Sequence, residues 1–376
     1  MSGSGDHRVH GLAGDTTAPD WPPITATQIE ALLPRFRHLG TLRAITWRSP
    51  RPLSAAVLIQ TDRGPLFVKR HHASVRSAAA LAEEHAFAAH LRAGGIPIPA
   101  IHADADGATA FAQGEWTWEV HDPAEGIDLY RQAPSWTPLH ERSHARAAGA
   151  MLARLHTAAE GLAAPQRSTR ILIAGSELIE ARDPMAALSA QFDARPALAH
   201  WLAPRDWQTE LRHALSPFHA RVQARAAAQP RLWTHGDWHA SNLCWSHAGP
   251  GAEVSAVLDF GLCARSFALF DLATAIERNA VAWLDPNLDR AHPGIALALL
   301  DGYRSVRPLD AADCALVADL LPVVHLDFAL SEVEYFAGIT RSPANAEVAW
   351  EQFLIGHMAW FAHRHGQALL DAIGHA

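Results

Sequence analysis

With 376 residues, 49% of them hydrophobic and 19% charged, the chain can build one large core or two lobes, and wholesale disorder is excluded. A formal net charge of -8 argues against nucleic acid as a partner and is compatible with a cationic substrate. Three cysteines, Cys244, Cys263 and Cys314, form neither a CxxC pair nor an even-numbered framework, which excludes a disulfide scaffold and a structural zinc and fits a reducing, cytoplasmic setting.

The N-terminus has no apolar signal-peptide core, and no run of about 18 apolar residues offers a membrane span. The 24 histidines are scattered and read as surface and core imidazoles, not metal ligands. Residues 1–26, rich in Gly, Asp and Pro, read as a flexible arm. Thr27 is placed to cap a short helix over Gln28–Arg35. Leu42–Trp47, Ala55–Thr61 and Pro65–Arg70 are predicted strands, the last two joined by a turn at Asp62-Arg63-Gly64. A helix over Ala78–Ala93 stops at Gly94-Gly95, and Ile96–Pro99 runs extended because proline disfavours helix at the residue before it. Ala108–Gln113 and Glu115–His121 complete a five-stranded antiparallel sheet, so residues 27–121 form a small α+β lobe.

Asp122–Gly126 breaks the pattern, and residues 122–376 read as a larger, mainly helical lobe. Leu139–Ala159 and Trp207–Ala228 are helices, Leu232–His235 and Ala252–Asp259 are partner strands, and helices follow at about 270–284, 289–305, 310–339 (broken near Pro322) and 344–373.

The chemistry concentrates between the two strands. His235-Gly236-Asp237 is followed by Asn242, and Val257-Leu258-Asp259-Phe260-Gly261 closes the second strand. A carboxylate on a tight turn, an amide five residues on and a second carboxylate at a strand end suit Mg²⁺, which takes few protein carboxylates and fills its shell with phosphate and water oxygens. The same set supplies a carboxylate to orient an attacking hydroxyl.

This succession, with Phe270-Asp271-Leu272-Ala273 downstream, resembles the aminoglycoside phosphotransferase and choline kinase superfamily, which has the bilobal protein-kinase-like fold. The resemblance implies ATP or GTP and Mg²⁺, with Asp237 orienting the acceptor hydroxyl, Asn242 and Asp259 holding the metal, and His235 holding the loop. It implies Lys69 on the α- and β-phosphates, with Glu84 in preference to Glu83 as its ion-pair partner, and adenine against the backbone of Val120 and His121. The glycine-rich loop of protein kinases is missing: Arg48–Ser54 holds no glycine, so its phosphate contacts fall to Ser49, Ser54, backbone N–H groups or an arginine. Asp327, Ser331 and Glu334 lie at helical spacing beside Phe328 and Tyr335, a carboxylate–aromatic wall that suits a cationic amine. Three functions stay open: transfer to a small-molecule hydroxyl, transfer to protein Ser/Thr as in a stress-response kinase subgroup, and nucleotide binding without catalysis.

Overall fold

Alternation along three strands decides where the chemistry sits. β1 (Leu42–Arg48), β2 (Ala55–Thr61), β3 (Gly64–His72), β4 (Phe111–Gln113) and β5 (Trp116–His121) form one antiparallel sheet of order β1-β2-β3-β5-β4. Val57, Ile59, Leu66, Val68, Trp118 and Val120 share one face and pack with α1 (Ala26–Leu32) into a core of their own. Successive side chains point to opposite faces, so Phe67, Lys69, His71, Glu119 and His121 line a cleft on the other side.

This computed structural model describes residues 7–8, 16–17, 19–51, 53–131, 133, 136–283 and 291–376. Most of the expected arm lies outside those residues. From Asp20 onward it is anchored: Trp21 stacks on His72 with ring centroids 4.7 Å apart, and the Tyr335 hydroxyl donates to Asp20 at 2.7 Å. Thr25, not Thr27, caps α1. Its hydroxyl accepts from the Gln28 N–H while the Gln28 side chain accepts from the Thr25 N–H, a reciprocal capping box.

α2 (Ala78–Ala93) is capped by Ser77 and buries Phe87 against Trp233 and Phe260, so it packs on the larger core. That core is helical: α3 (Arg142–Ala159), α4 (Ala268–Ala280), α5 (Pro293–Arg304), α6 (Ala311–Leu320) and α7 (Leu326–Glu334). Pro322 falls between α6 and α7, as expected. The helix expected over residues 207–228 is split around Pro217 into Trp207–Leu215 and His219–Ala227.

Two short hairpins carry the central loops. β6 (Leu232–Thr234) pairs with β9 (Ala264–Ser266), and β7 (Leu243–Trp245) pairs with β8 (Val254–Val257). The expected partnership of the 232 and 252 strands is therefore replaced by nested ladders, the inner one held between the arms of the outer. Among the described residues, no helix is long and apolar enough to cross a membrane.

Candidate active site

Gly236 leaves β6 with φ +75°, and a Cβ there would stand 2.6 Å from the Leu262 carbonyl oxygen, so only glycine fits this turn. The turn is fixed from behind by Asp271 in the first turn of α4. Its carboxylate accepts the N–H groups of His235 and Gly236, both at 2.9 Å, and His156 Nε2 at 3.0 Å. Burial raises the Asp271 pKa, but the His156 hydrogen bond and the charges of His156 and His235 outweigh it, leaving the carboxyl below its ordinary range. Sequence reasoning assigned Asp271 no role. The available signal was a carboxylate inside an otherwise apolar helix start.

His235 is fully buried and bridges the two loops: Nδ1 accepts from the Asp237 N–H at 3.1 Å and Nε2 donates to the Leu258 carbonyl at 2.9 Å. Burial drives its imidazole down to about 4, with Asp271 opposing. Asp237 Oδ1 pairs with Arg278 of α4, and Oδ2 accepts from Asn242 Nδ2 at 3.0 Å. Asn242 Nδ2 also donates to the Asp237 carbonyl at 2.9 Å, so its amide oxygen is the atom left to a cation. Asp259 sits in the left-handed region, φ +57°, with Oδ1 taking Lys69 Nζ at 2.9 Å. Burial would raise the Asp259 pKa; the charge and hydrogen bond of Lys69 reverse this and hold it far below the usual range. One carboxylate and one amide oxygen, with no nitrogen or sulfur among them, fit a hard cation such as Mg²⁺.

Lys69, Asp237, Asn242 and Asp259 all line one cleft of about 550 Å³. Glu84 lines it too, but the expected Lys69–Glu84 pair is not made. Glu84 Oε1 is taken by Arg76 Nε at 2.8 Å and Arg167 Nη2 at 2.6 Å, while Glu83 pairs with Arg167 Nε at 3.1 Å. Val120 is buried with its carbonyl occupied by the His102 N–H at 2.8 Å. His121 lines the cleft, its Nε2 2.7 Å from Glu119 Oε2.

The expected acceptor trio does not face the cleft. Asp327, half-buried, accepts from the Leu178 N–H, while Ser331 donates to the Phe328 carbonyl and Glu334 pairs with Arg195 at 2.6 Å, both buried. One position along from Asp327 and Ser331, about 100° round the helix, Phe328 and Glu332 line the cleft with Phe336, just past the end of α7, beside Trp136 and Phe353. Burial pushes Glu332 up to about 8, with Arg278 opposing. Between β1 and β2, Ser49 is occupied in its own turn, accepting from the Arg51 N–H at 3.2 Å. Arg51 lines the cleft, its guanidinium lowered by burial and raised by Asp128 and Asp259.

The small antiparallel sheet, the helical lobe and the cleft between them make this a bilobal α+β, protein-kinase-like fold. Structures of similar fold are the microcompartment-associated aminopropanol kinase (TM-score 0.57, 16% identity, 93% of this chain and 98% of that one) and the amicoumacin kinase in complex with AMP-PNP, Ca²⁺ and Ami (TM-score 0.55, 15% identity, 91% and 96%). The chain belongs to the phosphotransferase enzyme family, whose sequence model matches residues 51–309. Among curated proteins it is similar to the homoserine kinases of Gluconobacter oxydans (28% identical over 185 residues, 49% of this chain and 51% of that protein) and Paraburkholderia phymatum (28% over 237 residues, 62% and 65%). The chain thus spans about half to two thirds of the length of these relatives.

Proposed function

We propose that the protein transfers the γ-phosphoryl group of ATP to the hydroxyl of a small amino alcohol or hydroxy-amino acid. The observation that carries this is the meeting of the Lys69–Asp259 pair with the Asp237–Asn242 pair in one cleft. The homoserine kinase relatives support the acceptor class.

The acceptor oxygen attacks the γ-phosphorus, the bond from that phosphorus to the β–γ bridging oxygen breaks, and the hydroxyl proton passes to Asp237 as ADP leaves. Asp237 orients the hydroxyl, itself held by Arg278 and Asn242 so that one oxygen stays aimed. Lys69 places a fixed charge on the α- and β-phosphates, and Arg51, in place of a glycine-rich loop, adds a second cation above them. Asn242 and Asp259 would hold Mg²⁺, which neutralises phosphate charge when bound. An acceptor ammonium fits against Glu332, beside the Arg278 guanidinium that already lies over the rings of Phe328 and Trp136. Its charge would ionise a carboxyl otherwise kept protonated near neutral pH, so binding should release a proton.

An ATP-consumption screen over amino alcohols, homoserine, aminoglycosides, sugars and a generic protein substrate tests the reading. Turnover confined to the amino alcohols or homoserine is expected; turnover of the protein substrate alone would overturn it. Asp237→Asn should lower kcat by about 10²- to 10⁴-fold. The thermal shift produced by Mg-ATP should persist in that variant. Unchanged turnover would remove Asp237 from the mechanism.

A further inference from the structure

We infer that the protein also binds a divalent transition-metal ion of the zinc, cobalt or nickel type in the cleft, through His85, Glu119 and His121. This site is separate from the oxygen pair assigned to Mg²⁺ and does not depend on the phosphotransfer reading.

Strand alternation assembles it. Lys69 and His71 share the cleft face of β3, Glu119 and His121 share that face of β5, and Lys69 and Glu119 are cross-strand partners. α2 adds His85. The Nε2 atoms of three imidazoles then converge on one buried carboxylate. His71 lies 2.9 Å from Oε1, His85 lies 2.8 Å from Oε2, and His121 lies 2.7 Å from the same Oε2. The ligand atoms of His85, Glu119 and His121 all fall within 4.8 Å of one another.

The two oxygens of the buried glutamate can by themselves accept all three imidazole N–H groups, but two features go beyond what neutralising it requires. The donor set is imidazole and carboxylate, which selects zinc-like metals over Mg²⁺. His85 is oriented from its far side, with Nδ1 at 2.9 Å from the Thr109 hydroxyl, so its Nε2 is turned to the cluster as a metal-bound imidazole must be. Tetrahedral binding at about 2.0–2.1 Å sets ligand atoms about 3.3 Å apart. The His85 and His121 nitrogens, 2.8 and 2.7 Å from Glu119 Oε2, reach that by small side-chain movements. All three side chains line the cleft, which gives an ion its way in.

The test uses the full chain, free of nucleotide and of any histidine tag, dialysed against chelator and titrated with Co²⁺. Expected are one tight equivalent by equilibrium dialysis and visible d–d bands that Zn²⁺ abolishes. His85→Gln and His121→Gln should each weaken binding at least about 100-fold, and Thr109→Val, which touches no metal, about 10- to 100-fold. Circular dichroism confirms that each variant is folded. His357→Gln, in the buried Glu277–His325–His357 group, is the control and should leave the spectrum intact. Absence of a stoichiometric spectrum, its survival in the folded His85→Gln/His121→Gln double variant, or its loss in His357→Gln would each overturn the assignment. Because no nucleotide is present, a failed kinase assay and a failed metal titration are separate results.

Discussion

Lys69 is the chain's only lysine; the other 30 of its 31 Lys and Arg residues are arginines. A chain that uses arginine everywhere else for a surface cation keeps lysine at one cleft-facing strand position. A compact ammonium makes a point contact, whereas guanidinium is a planar fork that cannot occupy the same volume. Lys69→Arg, though charge-conserving, should therefore lower kcat/KM by at least about 100-fold, equivalent to about 2.7 kcal/mol of transition-state stabilisation. Steady-state kinetics with ATP as the varied substrate checks it, and near-wild-type values would show that any cation serves. At this scale much was legible. The apolar run Leu66–Val68 identifies Lys69, and the spacing of Asp237, Asn242 and Asp259 brings them to one cleft. The bracing roles of Arg278 and Asp271 were not legible: the Asp271 carboxylate stood out at an apolar helix start, but nothing in a helix sequence says that its turns will brace a loop more than thirty residues earlier.

α7 shows what an element's pattern does and does not encode. Asp327, Ser331 and Glu334 make a polar stripe at helical spacing, but a stripe does not say which neighbour it meets. In the fold that stripe packs on the Leu178 backbone and Arg195, and the cleft receives the adjacent one. Burial pushes Asp327 up to about 7, with Glu177 adding to the rise and Arg195 opposing it. The folded pKa lies above the unfolded one, so this carboxyl destabilises the fold increasingly as pH climbs from about 4 through 7. Asp327→Asn keeps the shape and removes the titration. Its stability advantage should be small at pH 4 and grow by up to on the order of 4 kcal/mol by pH 8. Urea unfolding across that range reads the difference directly, and a gap independent of pH would refute the buried-acid account. Turnover should be unchanged, since Asp327 faces away from the cleft.

Across the whole molecule, the lobes are joined by contacts that no local pattern announces. Arg76, just before α2, donates to the carbonyls of Ile171, Leu172 and Gly261 as well as to Glu84. Arg167 donates to the Ala80 and Cys263 carbonyls and to both Glu83 and Glu84. Glu84 is the shared anion between two buried guanidiniums, which makes it a bolt between α2 and the helical lobe while Asp259 serves as the counter-ion of Lys69. The five strands and α2 followed from local periodicity, whereas this bolt, apart from the eight-residue Arg76–Glu84 step, joins residues 83 to 185 positions apart and was hidden for that reason. The two possible duties of Glu84 separate experimentally. As a bolt, Glu84→Gln leaves two buried cations facing each other and should cost about 3–5 kcal/mol of stability. Glu83→Gln, whose carboxylate is 31% exposed, should cost less than about 1 kcal/mol. Below its melting temperature, Glu84→Gln should keep a KM for ATP within about threefold of wild type, because the cleft-facing Lys69 is still paired with Asp259. Thermal melts and kinetics on the same two variants decide the matter. A Glu84→Gln protein as stable as wild type but with a KM for ATP raised tenfold or more would place this carboxylate in nucleotide binding instead, with the arginine contacts incidental to it.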